Sequence, residues 1–237
     1  MPRRFLWLVL LVATLLPLLR PLLKGEAIGP WDQVAPMMGA PVVEKTTAWD
    51  VLQADACLQF YPWRDLVFES WGKGQPPYYN PYQLAGVPFL ANSQSAGFYP
   101  LHIIAGLSHL PTPTAVSLLA WFHLFWAAFG IFRLSKRFGA SDAGALLGGI
   151  SFALSPFMLG WTGLASVITT VAWIPWVLLY CLPGDRRALL KLAGCTAMMV
   201  LAGHLQFVAL GGMAAVVVLA SSAIQTKRFP IAIIGLV

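Results

Sequence analysis

Long apolar runs alternate with short polar joints along this chain, and one polar interval is far longer than the others. The runs Phe5 to Leu23, Thr114 to Phe132, Ala143 to Trp161, Leu164 to Leu182, Ala188 to Gly203 and Gln206 to Ile224 each approach the ~20 residues a helix needs to cross a hydrocarbon core. They predict six membrane spans. The closing FPIAIIGLV predicts the beginning of a seventh, cut short as in an N-terminal fragment of a longer membrane protein. The first run also fits a cleaved signal peptide, with small residues around Gly25-Glu26-Ala27, although Arg20 and Lys24 suit that reading poorly. Under either reading the chain beyond Lys24 is exported. Leu101 to Leu110 is too short to span and is stopped by Pro111 and Pro113, so it is predicted to be interfacial or re-entrant.

The pattern divides the chain into three regions: a first transmembrane helix over 1–23, a loop over 24–113 with helices of its own, and a helix bundle over 114–237. The fold class is all-α, a polytopic bundle of about six to seven spans. Inside the loop, Asp50 with Gln53 three residues on has the form of a capping box that starts a helix. Asp55 and Gln59 then lie one turn apart on one face, with Asp50 pointing about 140° away. Pro62 suits the first turn of a second helix, with Trp63, Leu66, Val67 and Trp71 on one stripe, Asp65 and Glu69 off it, and Gly72 at the stop. That is an interfacial pattern. Lys73 to Pro100, rich in Pro, Gly, Asn and Tyr, is predicted to be an ordered loop because its aromatics can pack.

Composition agrees with the pattern: 58% of the 237 residues are hydrophobic, 10% are charged, and the mean hydropathy is +0.72. The lipid bilayer is the first partner this implies. Charge adds orientation. Arg3 and Arg4; Arg133, Lys136 and Arg137; Arg186, Arg187 and Lys191; and Lys227 and Arg228 fall at the ends that an odd-even count from a cytoplasmic N-terminus places inside. The long first loop, net acidic, is then extracytoplasmic. A pI near 9.5 needs no nucleic acid, since the basic residues form short clusters at helix ends and no continuous face. Cys57, Cys181 and Cys195 share no metal spacing, and no Walker, Rossmann or zinc-protease motif is present. Gly148 and Gly149 with Ala143 to Ala145 before them, and Gly211-Gly212, read as close helix packing.

Several short motifs carry a resemblance. Asp55-x-x-x-Gln59-Phe60-Tyr61-Pro62, Gly74-x-x-Pro77-x-Tyr79-Asn80-Pro81-Tyr82, Gly86-x-Pro88-x-x-Ala91-Asn92-x-Gln94-Ser95 and Phe98-Tyr99-Pro100-Leu101 together resemble the first outer loop of the YfhO family of bacterial membrane proteins. Ala172-Trp173-Ile174-Pro175 and Gly203-His204-Leu205-Gln206 fit as well, with Tyr79 standing where Trp is common and Leu205 where Pro is common. The resemblance runs from Met1 to about Ile224. It implies a GT-C fold in a bacterial cell membrane, a polyprenyl-phosphate sugar donor, and a glycan or lipid acceptor in the cell envelope. It also implies an acidic residue in the first outer loop that serves the chemistry, which here is Asp55. A carboxylate within reach of an acceptor hydroxyl can take its proton as the sugar leaves its carrier. Gln59 would orient that carboxylate or bind a sugar hydroxyl, and Arg64 would pair with the departing phosphate. Tyr79 with Tyr78, Tyr82 and Trp63 offers ring faces; Asn80, Asn92 and Gln94 offer paired donors and acceptors; His204 and Gln206 would meet phosphate or carbohydrate at the membrane boundary.

Plainer roles stand beside each of these. Asp55 is also a solvated acid on an exported helix, Arg64 a head-group anchor, Asn80 and Asn92 turn-fixing residues, the aromatics an interfacial belt, and His204 a helix-end residue bonded to a carbonyl. His102, His109 and His123 have no ligand spacing. The cofactor stays unknown: a divalent cation at a carboxylate site is compatible, but a single acid supplies no ligand set. The functional alternative is a non-catalytic transporter or flippase component of envelope assembly, disfavoured because the spans carry almost no mid-membrane ionisable residue.

Overall fold

The computed structural model describes residues 3–39, 41, 51–183 and 186–226, which are mostly helical. Asp50 and the predicted seventh span lie outside the described residues. Four described helices are long and apolar enough to cross a membrane: Phe5–Lys24, Thr112–Arg137, Asp142–Gly160 and Leu205–Ile224. They coincide with the first, second, third and sixth predicted spans.

The first crossing helix is α1 (Arg3–Leu15), a 3-10 turn over Leu16–Leu18, and α2 (Leu19–Lys24). Pro17 cannot donate to the helical ladder, which tightens there. Gly25 ends it with φ 64, a left-handed cap that costs glycine least. In the loop beyond it, α3 (Trp31–Val34) precedes α4 (Val51–Asp55), and α4 runs through a π-helical turn at Ala56–Phe60 into α5 (Tyr61–Gly72). Pro62 does sit in the first turn of α5. One side of that helix is packed into the protein. Arg64, Val67 and Phe68 are buried, and only its Asp65 and Glu69 side is exposed.

A two-stranded antiparallel hairpin, β1 (Tyr79–Asn80) with β2 (Val87–Pro88), pairs Tyr79 with Pro88 and Asn80 with Val87. The short apolar run becomes α6 (Pro100–Leu107), packed on α5. Gly106 makes that approach possible, since a Cβ there would lie 2.6 Å from Trp71 Cβ and 2.9 Å from Phe68 O.

The central element is α7 (Thr112–Arg137), against which α1 and α8 (Asp142–Ala153) pack. Leu6, Leu10, Ala128, Phe132, Ala145 and Ala153 form the core between them. Gly149 supplies the close packing its sequence suggested, with its missing Cβ 2.6 Å from Ala128 O, while Gly148 makes only ordinary contacts from 3.6 Å. A short α9 (Pro156–Gly160) continues α8, capped by Ser155, whose Oγ accepts from Met158 N at 3.3 Å.

The fourth apolar run differs from the single span expected. It is α10 (Ala165–Val171) and α11 (Ile174–Cys181), joined by a kink at Ala172–Trp173, and Ala165–Cys181 is shorter than the four crossing helices. Pro175 is the physical reason: it lacks the N–H that would bond Val171 O, and the turn tightens to Trp173 N→Thr170 O, 3.2 Å. The fifth run is α12 (Arg186–Leu201), 16 residues long among the described residues and shorter than the four crossing helices. It turns at Gly203 into α13 (Leu205–Thr226). Arg137 Nη2 donates to Pro183 O at 2.7 Å, so the basic end of α7 and the segment leading to the basic start of α12 share one end of the bundle.

Candidate functional site

Asp55 ends α4 where the chain enters the π-helical turn, and it is half-buried. Gln59 Nε2 donates to Asp55 Oδ1 at 2.8 Å, the contact expected of residues one turn apart. That amide fixes the carboxylate's orientation and leaves its second oxygen to accept. The turn is braced from both sides. Gln53 Nε2 donates to Gly160 O at 2.7 Å, and Gly163 admits Ala56, whose Cβ lies 3.0 Å from where a glycine Cβ would be. Asp55 therefore sits in a turn that packs against the α9–α10 connection.

A second group gathers where three separated segments meet. Trp173, at the kink before α11, donates from Nε1 to Tyr99 Oη at 2.9 Å. Tyr99 Oη lies 2.7 Å from His123 Nε2 in α7, and His123 Nδ1 lies 2.6 Å from Leu119 O. A carbonyl only accepts, so Nδ1 carries the proton and Nε2 accepts from the tyrosine hydroxyl, which itself accepts from the indole. Every polar atom of this chain of groups is satisfied although Tyr99 and His123 are fully buried.

The Gly203 turn presses on the same loop. A Cβ at Gly203 would run into Ser93 O, and the residue has φ 96; His204 N donates to Thr170 Oγ1 at 3.2 Å. The Asn92-to-Leu101, Ala172-to-Pro175 and Gly203-to-Gln206 segments thus form one assembly.

Several candidates have structural duties. Arg64 was expected at a departing phosphate but is 1% exposed, and its terminal nitrogens donate to the backbone carbonyls of Gln94 and Ser95. It holds the loop from behind. Burial lowers its guanidinium to about 9, which leaves it charged at neutral pH. Asn80 is 3% exposed and fixes the hairpin, accepting from Tyr82 N at 2.9 Å and donating to Gln83 at 3.1 Å. Asn92 caps the next turn by accepting from Gln94 N at 3.2 Å. The Tyr79 ring is exposed and folds over Gly86, with its hydroxyl donating to Ala85 O at 3.3 Å.

Tyr78 and Tyr82 are exposed, while Trp63 is half-buried against Phe60 with ring centroids 5.3 Å apart. His204 is half-buried against Phe207, 4.9 Å between ring centroids, and burial lowers its pKa, favouring the neutral ring. Gln206 is exposed at the start of α13. Among the described residues, no hydrogen bond or ion pair joins Asp55 to His204, Asn92 or Gln94.

Among the described residues, three cavities lie near these groups. An open crevice of about 180 Å³ is lined by Asn92, Ser93, Ser95, Phe98, Val200 and Leu201, polar at the loop and apolar at α12. A second, about 440 Å³, opens between Asp65, Glu69, Lys73, His109 and Thr112. A third is small, about 10 Å³, between Arg64, His102 and the faces of α7 and α10. Asp55 lines none of the three. Among the described residues no three His, Cys, Asp or Glu side chains group to hold a metal ion.

Sequence reasoning gave His102 and His123 no role and singled out Tyr99 and Trp173 only as motif letters. The missing signal was pairing: a Tyr-Pro at a helix start and a Trp before a proline lie 74 residues apart in sequence. No family model, no curated protein and no solved structure matches this chain.

Proposed function

We propose that the chain is a membrane glycosyltransferase of the GT-C type, moving a sugar from a polyprenyl-phosphate carrier to a glycan or lipid of the cell envelope at the outer face of a bacterial membrane. The observation that carries this reading is the Asp55–Gln59 pair: a half-buried carboxylate in the segment between the first two crossing helices, with one oxygen held at 2.8 Å and the other left to accept. In the reaction an acceptor hydroxyl gives its proton to Asp55 as its oxygen bonds the anomeric carbon. The bond from that carbon to the carrier phosphate breaks, and its electron pair leaves with the phosphate. Displacement from the opposite face inverts the anomeric centre.

Two further features support the reading. The basic ends of α7 and α12 lie together, and the positive-inside rule puts them in the cytoplasm and the Asp55 segment outside. Three of the segments behind the YfhO resemblance, Asn92 to Leu101, Ala172 to Pro175 and Gly203 to Gln206, also pack against one another. In this reading Arg64 is a support for the Gln94–Ser95 segment, and His204 and Gln206 are rim residues.

A transporter or flippase component is the second reading, favoured by the kink at Ala172–Trp173 and by His123 inside α7. The deciding experiment is transfer of labelled sugar from a polyprenyl-phosphate donor in membrane vesicles carrying Asp55→Asn. Loss of the base is expected to slow transfer ~10²-fold or more at unchanged protein abundance. Wild-type transfer by that variant removes Asp55 as the base.

A further inference from the structure

Arg64 and His102 reach one small cavity from α5 and α6. Both are buried, 1% and 0% exposed, and each uses only part of its hydrogen-bonding capacity on protein. The terminal nitrogens of Arg64 are bound to the Gln94 and Ser95 carbonyls, while its buried Nε has no partner among the described residues. His102 Nδ1 lies 2.9 Å from Ala96 O, and because a carbonyl only accepts, Nδ1 holds the ring proton. Its Nε2 is then a bare acceptor, also buried and without a partner among the described residues. Burial and the nearby Arg64 charge both hold the ring neutral. The two side chains line a small cavity of about 10 Å³ with Val116, Leu119, Ala120, Ala165, Ile168 and Thr169. That volume admits one water-sized molecule.

The chemistry of the lining selects the occupant. An anion needs donors all round and would meet the His102 lone pair, and a cation would be repelled by the guanidinium. Only a molecule that both accepts and donates satisfies the two nitrogens. We propose that this cavity is the binding site of a single internal water, which accepts from Arg64 Nε–H and donates to His102 Nε2. The Thr169 hydroxyl, which donates to Ala165 O at 2.8 Å, has a lone pair for the water's second proton. The water links α5 to α6 behind the loop and completes the hydrogen bonding of a buried arginine that has no carboxylate partner among the described residues. The assignment is independent of the glycosyltransferase reading.

The test is a density map of the full chain in lipid nanodiscs at a resolution that shows ordered water, prepared once in chloride and once in gluconate. The same single peak is expected under both anions, within hydrogen-bonding distance of Arg64 Nε and His102 Nε2. A cavity without density between well-ordered side chains overturns the assignment, as does a peak present in chloride alone. Nitrogen-15 spectra of histidine-labelled protein supply a second readout at neutral pH. His102 is expected as the Nδ1–H tautomer with Nε2 shifted as a hydrogen-bonded acceptor, whereas an imidazolium signal or the shift of a free acceptor contradicts it.

Discussion

Replacing Tyr99 by Phe removes one oxygen from the place where loop, α7 and the α10–α11 kink meet. The ring still fits, so the loss is confined to hydrogen bonding. Two partners are orphaned at once: Trp173 Nε1–H, 2.9 Å from that oxygen, and His123 Nε2, 2.7 Å from it. Tyr99 and His123 are fully buried and Trp173 is 8% exposed, so water cannot replace the hydroxyl without opening the packing. In a soluble core each orphaned group costs about 1–3 kcal/mol. Inside a membrane measured side-chain hydrogen bonds run lower, averaging about 0.6 and reaching about 1.7 kcal/mol. Two bonds of the membrane kind give a loss of about 1–3 kcal/mol. The assay is reversible unfolding in mixed micelles, with a double-mutant cycle against Trp173→Phe. Because the indole N–H then has nothing to lose, the cost of Tyr99→Phe should fall by roughly half in that background. Strictly additive losses, or a Tyr99→Phe variant as stable as wild type, refute the hydrogen-bonded chain.

Three other outcomes rest on the same structure. Gly203→Ala is expected to destabilise by about 2 kcal/mol or more, since it combines φ 96 with a methyl driven into Ser93 O; an unchanged melting temperature would show that the loop does not press on the turn. His102 and His204 both have pKa values held below the usual 6.5, so as pH falls below 6.5 the unfolded chain binds protons the folded chain refuses. Stability is therefore greatest above 6.5 and declines toward the lowered values, and His204→Gln should flatten part of that slope in pH-dependent melts. Cys57, 3% exposed and pushed up to about 11 by burial and by the Asp32 carboxylate, should resist maleimide at pH 7.5 in native micelles and react quickly once unfolded, as mass spectrometry of its peptide would show.

The candidate site was partly legible. Asp55 and Gln59 were paired by spacing alone, and the pair forms through an i to i+4 bond that depends on local geometry. Asn80 and Asn92 took the turn-fixing roles their residue type favours. Arg64 was not legible, because a guanidinium on an amphipathic helix reads as surface until a distant loop supplies two carbonyls to bury it.

What the amino-acid order determines by itself is local: crossing helices at Phe5–Lys24, Thr112–Arg137, Asp142–Gly160 and Leu205–Ile224, which follow from apolar length, and the Pro62 start of α5, which follows from a fixed φ. Tertiary structure decided the rest. The kink at Ala172–Trp173 is invited by Pro175 but is positioned by Tyr99, and the depth of α5 depends on Gly106 letting α6 approach. Such contacts join residues remote in sequence, and periodicity, which reports only on neighbours within a few turns, carries no information about them.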